Sequence, residues 1–590
     1  MTNARFTLAL LALWGLVAAC NQTSTKTETA VSAAADSTTV AKKPGWWKET
    51  VVYQIYPRSF RDSNGDGVGD LRGIIAKLDY LQDLGVGTVW LNPIYASPND
   101  DNGYDISDYR RIMPEFGTMQ DFDALLNGLH QRNIKLVMDL VVNHSSDEHE
   151  WFKQARSYRT NPYRDYYHWW PAEKGKPTPR WSFFDVNSDA WKYDSLTNSY
   201  YLHYFSRKQP DLNWENPKLR QEVYKMMRFW LDKGIDGFRL DAFQFAAKDT
   251  TFPVLPAGYE KNIIKYYGHG PHLHDYLQEM NREVLSKYNV MTVAEGAGSG
   301  PADAMLFVDP ARKELNMAYH FEGVDLGLGP KGFQLAEFKR LYTRWDSAFA
   351  QKGWLSIFLG NHDQPRMVSK FGDDRPAFRA PSAKLLNTFI LTMRGTPYCY
   401  NGDELGMSNI RFDKIEDYRD VATRNGYQQV KNQGGNLSAF LATAKRFARD
   451  NGRTPFQWDT TRNAGFTTGT PWLKINPNYR DVNAAAQDQD PNSVLNHFRR
   501  ATAVRQEHPV LVHGRYQLLD AANPHIYAYT RTEGQNKALV VLNFSSEPRS
   551  WLLPAGLQLS GAPWLNNYPT FTPAATLALE PWQALVLPLR

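Results

Sequence analysis

Short runs rich in Val, Ile, Leu, Thr and aromatic residues recur along the chain, each bounded by polar or turn-forming residues. Eight stand out: 51–56, 88–91, 135–142, 237–241, 291–295, 316–321, 356–361 and 396–400. Most are apolar throughout rather than alternating, as expected of strands covered on both faces. Segments with helical spacing, such as 71–84 and 121–131, lie between them. Strands alternating with helices imply a parallel sheet, and eight units predict a closed (β/α)8 TIM barrel of the α/β class rather than an open doubly wound sheet.

Two stretches break the alternation. The connection after the third run, 145–217, is too long for a structureless loop and carries Tyr166, Tyr167, Trp169, Trp170, Trp181, Phe183 and Phe184, so it reads as an inserted subdomain after strand 3. Beyond 507 the runs 525–529, 538–542 and 584–587 are separated only by turn residues and loops. They predict a C-terminal antiparallel β-domain, a sandwich over 508–590. The barrel then occupies 44–144 and 218–507.

Polar residues gather where the predicted strands end: Asp139, Asn143 and His144 after the third, Arg239 and Asp241 at the fourth, Glu295 at the fifth, and Asn361, His362 and Asp363 at the seventh. A single Asp there is readily a helix cap. Acids and histidines recurring at one topological level mark the end of a barrel that carries chemistry.

These segments, Asp139-Leu-Val-Val-Asn-His144, Gly237-Phe-Arg-Leu-Asp241, Thr292-Val-Ala-Glu295 and Asn361-His-Asp363, together with 209–214 and 449–459, resemble in order the motifs of the α-amylase family, glycoside hydrolase family 13. Within it, the chain is similar to bacterial oligosaccharide α-glucosidases and oligo-1,6-glucosidases. The resemblance implies cleavage of α-glucosidic bonds with retention, which needs two carboxyl groups about 5–5.5 Å apart. Asp241 matches the nucleophile, Glu295 the acid/base and Asp363 the third acid. Arg239, two residues before Asp241 on a strand, is expected on the same side, where its charge would keep Asp241 ionised. Glu295 is expected to have a raised pKa. The resemblance also implies that His144 and His362 bond the sugar, that Tyr104 stacks under the reacting ring, and that Asp101 and Arg449 close the pocket for exo action.

Asp62-Ser-Asn-Gly-Asp-Gly-Val-Gly-Asp70 places oxygen donors at alternating positions with glycines between, which suits a hard cation. The family uses this loop for structural calcium, sometimes magnesium. The expected ligands are Asp62, Asn64, Asp66, the carbonyl of Val68, and Asp70.

Within the family, Val after the nucleophile accompanies α-1,6 preference and smaller residues accompany α-1,4. Ala242 stands there, which points to maltose and short maltooligosaccharides. Where the close relatives often read Glu-Met-Pro at the acid/base, this chain reads Glu295-Gly-Ala-Gly298. The Arg-rich loop of the family's sucrose isomerases is missing from 321–328. An oligo-1,6-glucosidase, a transglycosylase or a trehalose synthase would use the same acids. A silent sugar-binding lipoprotein is the alternative of another class, and retention of all three acids weighs against it.

Composition changes little. The chain has 590 residues, 42% hydrophobic, and Lys+Arg (67) nearly balances Asp+Glu (62). That argues against a nucleic-acid partner; a small oligosaccharide substrate is what the family resemblance implies. Residues 1–20 read as a lipoprotein signal peptide: Arg5, an apolar run, then small residues before Cys20, the expected lipidation site. Residues 21–43, rich in Ser, Thr and Ala, read as a flexible tether. Asn21 suggests the outer membrane facing the periplasm, with the lipid as the one membrane contact. Cys399, the second cysteine, lies in an apolar run and reads as an inert buried thiol.

Overall fold

The computed structural model describes residues 45–296, 298–327 and 332–590. The predicted leader, Cys20 and the tether lie outside them. All eight predicted runs are strands of one parallel sheet: β1 (Val52–Ile55), β2 (Thr88–Leu91), β3 (Lys135–Val141), β4 (Gly237–Asp241), β5 (Met291–Glu295), β6 (Met317–Tyr319), β7 (Ser356–Ile357) and β8 (Thr396–Tyr400). Their spatial order is 6-5-4-3-2-1-8-7. A parallel bridge between Ala318 and Leu355 joins β6 to the chain entering β7 and closes the barrel.

Alternation along each strand sorts the side chains. Tyr53, Val89, Leu136, Phe238, Leu240 and Ala294 join the main core with the helices. Val52, Trp90, Val137, Met291, Val293, Met317, Tyr319 and Tyr398 form a second cluster that fills the barrel. Gly237 permits the close approach of β4 to β5: a Cβ there would stand 1.9 Å from the carbonyl oxygen of Met291.

The insertion holds a three-stranded antiparallel sheet, Trp169–Pro171, Ser199–Leu202 and Trp191–Asp194, with the second in the middle. The chain returns to the barrel at the helix Pro217–Lys233, capped by Asn216. C-terminal to the barrel, a five-stranded antiparallel sheet runs Arg515–Leu519, Ile526–Glu533, Asn536–Asn543, Ala584–Leu589, Leu565–Asn566. Ala528, Leu539, Val541, Leu585 and Leu587 on one face pack with Trp551, Leu577 and Leu579 of a two-stranded sheet. Tyr527, Tyr529, Val540 and Leu542 on the other join the barrel's outer core. Cys399 is buried in β8, and burial pushes its thiol well up, as an inert thiol requires.

One predicted helix divides. The segment 71–84 is two helices, Leu71–Ile75 and Leu78–Asp83. Lys77 leaves helical geometry between them, and its ammonium lies 4.1 Å over the Trp458 ring. Tyr80, on the second helix, donates to the buried carboxylate of Glu404 at 2.8 Å. Among the described residues no helix is long and apolar enough to cross a membrane.

Candidate active site

The register of β3, β4, β5 and β6 builds the floor of the site. Asp139 pairs directly with Arg239, Arg239 with Val293, and Glu295 with Tyr319. Arg239 and Asp241, two apart on one strand, face the same side. The Arg239 guanidinium is fully buried. Its Nη1 donates to Asp139 at 2.7 Å and to Asp241 at 2.5 Å, its Nη2 is ion-paired with Glu295, and its Nε donates to the Tyr319 hydroxyl at 2.8 Å. Trp90 supports it from below, 5.2 Å from ring centre to guanidinium carbon. Asp241 and Glu295 are therefore held against adjacent nitrogens of one guanidinium. The Glu295 carboxyl also accepts the backbone N–H of Ala242, the residue after Asp241, at 3.0 Å.

The three floor acids are not equivalent. Burial pushes Asp241 up to about 6, with the charge of Asp139 adding and Arg239 opposing. Burial pushes Glu295 up to about 8, Arg239 opposing and the charges of Asp241 and Asp363 adding. Arg239 acts on Asp241 in the expected direction, favouring the ionised form, but one cation is shared among three carboxylates and desolvation outweighs its share, so the pKa still stands above the ordinary carboxylate value. The raised pKa expected of Glu295 is present, with full rather than partial burial as its first cause.

Asp363 lies across the cavity. Burial would raise its pKa, but His362, Arg449, Arg453 and Arg239 overcome this and hold it well below the usual carboxylate range. Arg449 and Arg453 donate to its Oδ1 at 3.0 and 2.8 Å. Arg449 also reaches Asp101 at 3.1 Å and Asp420 at 2.5 Å, and its guanidinium sits 4.8 Å from the Phe184 ring centre. The predicted Asp101–Arg449 pair is therefore formed. Asp101 is presented by a turn in which buried Asp105 accepts the N–H groups of Asp100 and Asp101.

Burial depresses the two predicted histidines to about 3, so both are neutral imidazoles at neutral pH. Gln54 Nε2 donates to His362 Nδ1 at 2.8 Å, which places the ring proton on Nε2. That atom faces the Tyr104 hydroxyl at 2.7 Å and Asp363 at 3.2 Å. Tyr104 and His362 stack, 5.2 Å between centroids and 6° between planes. Asn143 Nδ2 donates to His144 Nδ1 at 3.1 Å, leaving Nε2–H for the Tyr104 carbonyl at 3.1 Å.

A cavity of about 320 Å³ is lined by Asp241, Glu295, Asp363, Asp101, Tyr104, His144 and Arg449; Arg239 and His362 lie in the layer behind. The insertion contributes Phe183, Phe184 and Phe205, and the loops after β4 and β6 contribute Ala242, Gln244, Phe245, Phe321 and Asp325. Sequence reasoning gave no role to Asp139, Tyr319, Asp420, Arg453 or Gln244. Asp420 caps the helix Val421–Asn432 by accepting from Ala422 and Thr423, so its local signature is that of any N-cap.

The loop of Asp62, Asn64, Asp66, Val68 and Asp70 lies apart from the cavity. Its donors are all oxygen, which fits calcium in kind. In arrangement the carboxylates are turned onto N–H groups: Asp62 accepts from Asn64, Gly65 and Gly67, Asp66 from Val68, and Asp70 from Ser63 and Gly73. Among the described residues no three acidic or histidine side chains are grouped to hold a metal ion.

Arg239 makes the stability of the protein pH-dependent. Asp139, Asp241 and Glu295 all have folded pKa values raised above the unfolded carboxylate range of about 4. Groups raised in this way contribute stability at acid pH that is lost as pH rises through their folded values, here between about 4 and about 8. Arg239→Met removes the shared cation and raises all three further. It is expected to cost about 3–5 kcal/mol, with a deficit in thermal midpoint larger at pH 8.5 than at pH 5.5. A deficit that shrinks as pH rises would contradict the shared-cation geometry.

Comparison with known proteins agrees with this geometry. Residues 54–514 match the family described as alpha amylase, catalytic domain, and residues 516–586 match the maltogenic amylase C-terminal domain. The chain is 52% identical over 561 residues to an oligo-1,6-glucosidase of Parageobacillus thermoglucosidasius, covering 92% of this chain and 99% of the relative. It is 47% identical over 515 residues to an alpha-glucosidase of Pediococcus pentosaceus, covering 85% and 92%. The isomaltulose synthase of Klebsiella sp. LX3 superposes with a TM-score of 0.90 at 46% identity, covering 93% of this chain and all of that one. A catalytic-domain match across most of the barrel and near-half identity over almost the full length of such relatives place the chain in the α-amylase family of glycoside hydrolases.

Proposed function

We propose that the protein is a retaining, exo-acting α-glucosidase that hydrolyses short α-1,4-linked glucosides. The observation that carries the reading is the single guanidinium of Arg239 gripping both Asp241 and Glu295, which supports the short carboxyl separation of a double-displacement enzyme. Asp241 attacks the anomeric carbon while Glu295 gives its proton to the leaving oxygen. The C–O bond breaks and a glycosyl ester forms on Asp241. Glu295, now a carboxylate, takes a proton from water, whose oxygen attacks the same carbon and frees Asp241. Asp363, kept anionic by Arg449 and Arg453, accepts from sugar hydroxyls, while the neutral imidazoles of His144 and His362, their Nδ1 atoms already accepting from Asn143 and Gln54, serve the sugar as Nε2–H donors. The Arg449 bridges to Asp101, Asp363 and Asp420 support a closed glycone end that admits one terminal residue.

Asp241→Asn is expected to abolish glucose release from maltose. The pH profile of kcat/KM is expected to be bell-shaped, because activity needs Asp241 ionised and Glu295 protonated. Its acid limb should lie near 6 and its alkaline limb near 8. Since the two groups titrate as a coupled pair, the limbs belong to the pair. Full activity in Asp241→Asn, or a profile flat from pH 5 to 9, would sink the mechanism.

Linkage has two readings. Ala242, which lines the cavity, supports α-1,4; identity to relatives named oligo-1,6-glucosidases favours α-1,6. Ala242 sits at φ 46°, where a β-branched side chain is strained as well as larger. Ala242→Val is expected to shift the maltose-to-isomaltose ratio of kcat/KM toward isomaltose by about tenfold or more, the scale of one or two added methyl groups in a pocket. A wild type that prefers isomaltose, or an unmoved ratio in the variant, would favour the α-1,6 reading. Sucrose isomerisation is the less supported course, since 321–328 lacks the Arg-rich loop.

Calcium at the 62–70 loop belongs to this proposal on donor chemistry alone, as a fastening between that loop and the segment around Thr467, whose hydroxyl bonds Asp62. An ion at about one hundred times its Kd stabilises by about 2.7 kcal/mol. Chelation is therefore expected to lower the thermal midpoint and added calcium to restore it; indifference to both would leave the hydrogen-bond ladder as the fastening. Export and lipidation of Cys20 rest on the leader residues, and the mass of the mature N-terminus tests them.

A further inference from the structure

Val52 fills the barrel from β1, and Gln54, two residues on, faces the same side. Its amide is buried among apolar groups, so its hydrogens need acceptors. Nε2 has two within reach, Asn92 Oδ1 and His362 Nδ1, each at 2.8 Å. Asn92 and His362 are buried as well.

A single polarity satisfies this cluster, and it starts at Asp139. The ionised Asp139 carboxylate can only accept. Its Oδ2 takes the Tyr104 hydroxyl at 3.2 Å and faces Asn92 Nδ2 at 3.4 Å. Asn92 Nδ2 also donates to the Tyr104 oxygen at 2.7 Å. A reversed Asn92 would turn its carbonyl onto the carboxylate, so Oδ1 points away, toward Gln54. A reversed Gln54 would then set carbonyl against carbonyl, so Nε2 points at Asn92 and, with its second hydrogen, at His362. His362 Nδ1 therefore accepts, and the ring proton sits on Nε2. The Tyr104 hydroxyl, its one proton given to Asp139, accepts that Nε2–H at 2.7 Å. In the other tautomer a bare Nε2 would stand 3.2 Å from the Asp363 carboxylate and would draw the Tyr104 proton away from Asp139.

We propose that Gln54, itself oriented by Asn92, is a positioning residue for the reaction: it fixes His362 as the tautomer that turns a donor, not a lone pair, toward Asp363 and the sugar. The inference rests on the glucosidase reading and adds to it the layer that sets its proton positions. Neither Gln54 nor Asn92 lines the cavity, so both act through the side chains in front of them.

Neutron diffraction of deuterium-exchanged crystals at neutral pH tests this in wild type and Gln54→Met, with kcat/KM on maltose and thermal midpoints measured alongside. In wild type, deuterium is expected on His362 Nε2 and not on Nδ1, with the Tyr104 hydroxyl directed at Asp139. Gln54→Met keeps the length and removes the donor. It is expected to divide the ring deuterium between the two nitrogens and to lower kcat/KM about tenfold or more, the scale of outer partners that hold a histidine tautomer. Deuterium on Nδ1 in wild type overturns the assignment, whether or not the variant folds. So does a lower thermal midpoint in Gln54→Met with the Nε2 tautomer undivided, which is the mark of a merely structural amide, or an unchanged kcat/KM. Each of these leaves the glucosidase reading standing. A wild type inactive on maltose and isomaltose would sink that reading, and the service to catalysis with it.

Discussion

The site depends on one buried cation that is outnumbered. Arg239 faces Asp139, Asp241 and Glu295 in a floor with little water, and a single guanidinium cannot neutralise three carboxylates. One of them must therefore keep a proton near neutral pH. Local donors decide which. Asp139 accepts from Trp90, Asn92 and Tyr104 as well as from Arg239, and Asp241 has a charge-assisted bond at 2.5 Å. Glu295 has, besides its ion pair, one backbone N–H and a long contact of 3.4 Å from Tyr319. The proton settles on Glu295. The division between an ionised Asp241 and a protonated Glu295, which the proposed mechanism uses, thus follows from a charge imbalance and an unequal supply of donors.

The barrel is what makes that imbalance possible. Parallel pairing sets Asp139 opposite Arg239 and Glu295 opposite Tyr319, so the four groups converge without any loop having to hold them. A side chain at Gly237 would hold β5 away from β4, and the guanidinium could not then span the two acids. Trp90 fills the barrel beneath Arg239 and bonds Asp139, which keeps water out from below. The rigid elements carry the charges, and the loops after the strands carry the walls.

This division explains what the sequence made legible. Strands covered on both faces are continuous apolar runs, so all eight could be seen, with ends differing by a few residues. Acids and histidines at the ends of such runs stand out against an apolar background, so Asp241, Glu295, Asp363, His144 and His362 could be seen too. Asp420 could not: followed by Val-Ala-Thr, it has the pattern of a helix cap and serves as one, and its bond to Arg449 spans 29 residues of chain. Gln244 sits among Phe243, Phe245 and two alanines, where a polar residue carries no periodic signal. The shared-cation effect on Asp241 was hidden for a different reason, since it depends on burial, which spacing does not reveal.

The two ends of the cavity are built from different materials. On one side, Arg449 and Arg453 lock Asp363 and Asp420, with Asp101 held through Arg449. Replacing one member leaves a buried charge unpaired, so that end resists change. Elsewhere the wall includes Ala242, Gln244, Phe245 and Phe321, neutral groups whose exchange alters shape and hydrogen bonding without stranding a charge. A barrel with this asymmetry can keep its charged floor and ion-paired wall while the neutral wall drifts. A solved isomaltulose synthase and relatives named oligo-1,6-glucosidase and alpha-glucosidase, all similar to this chain over most of its length, are what such a partition would produce.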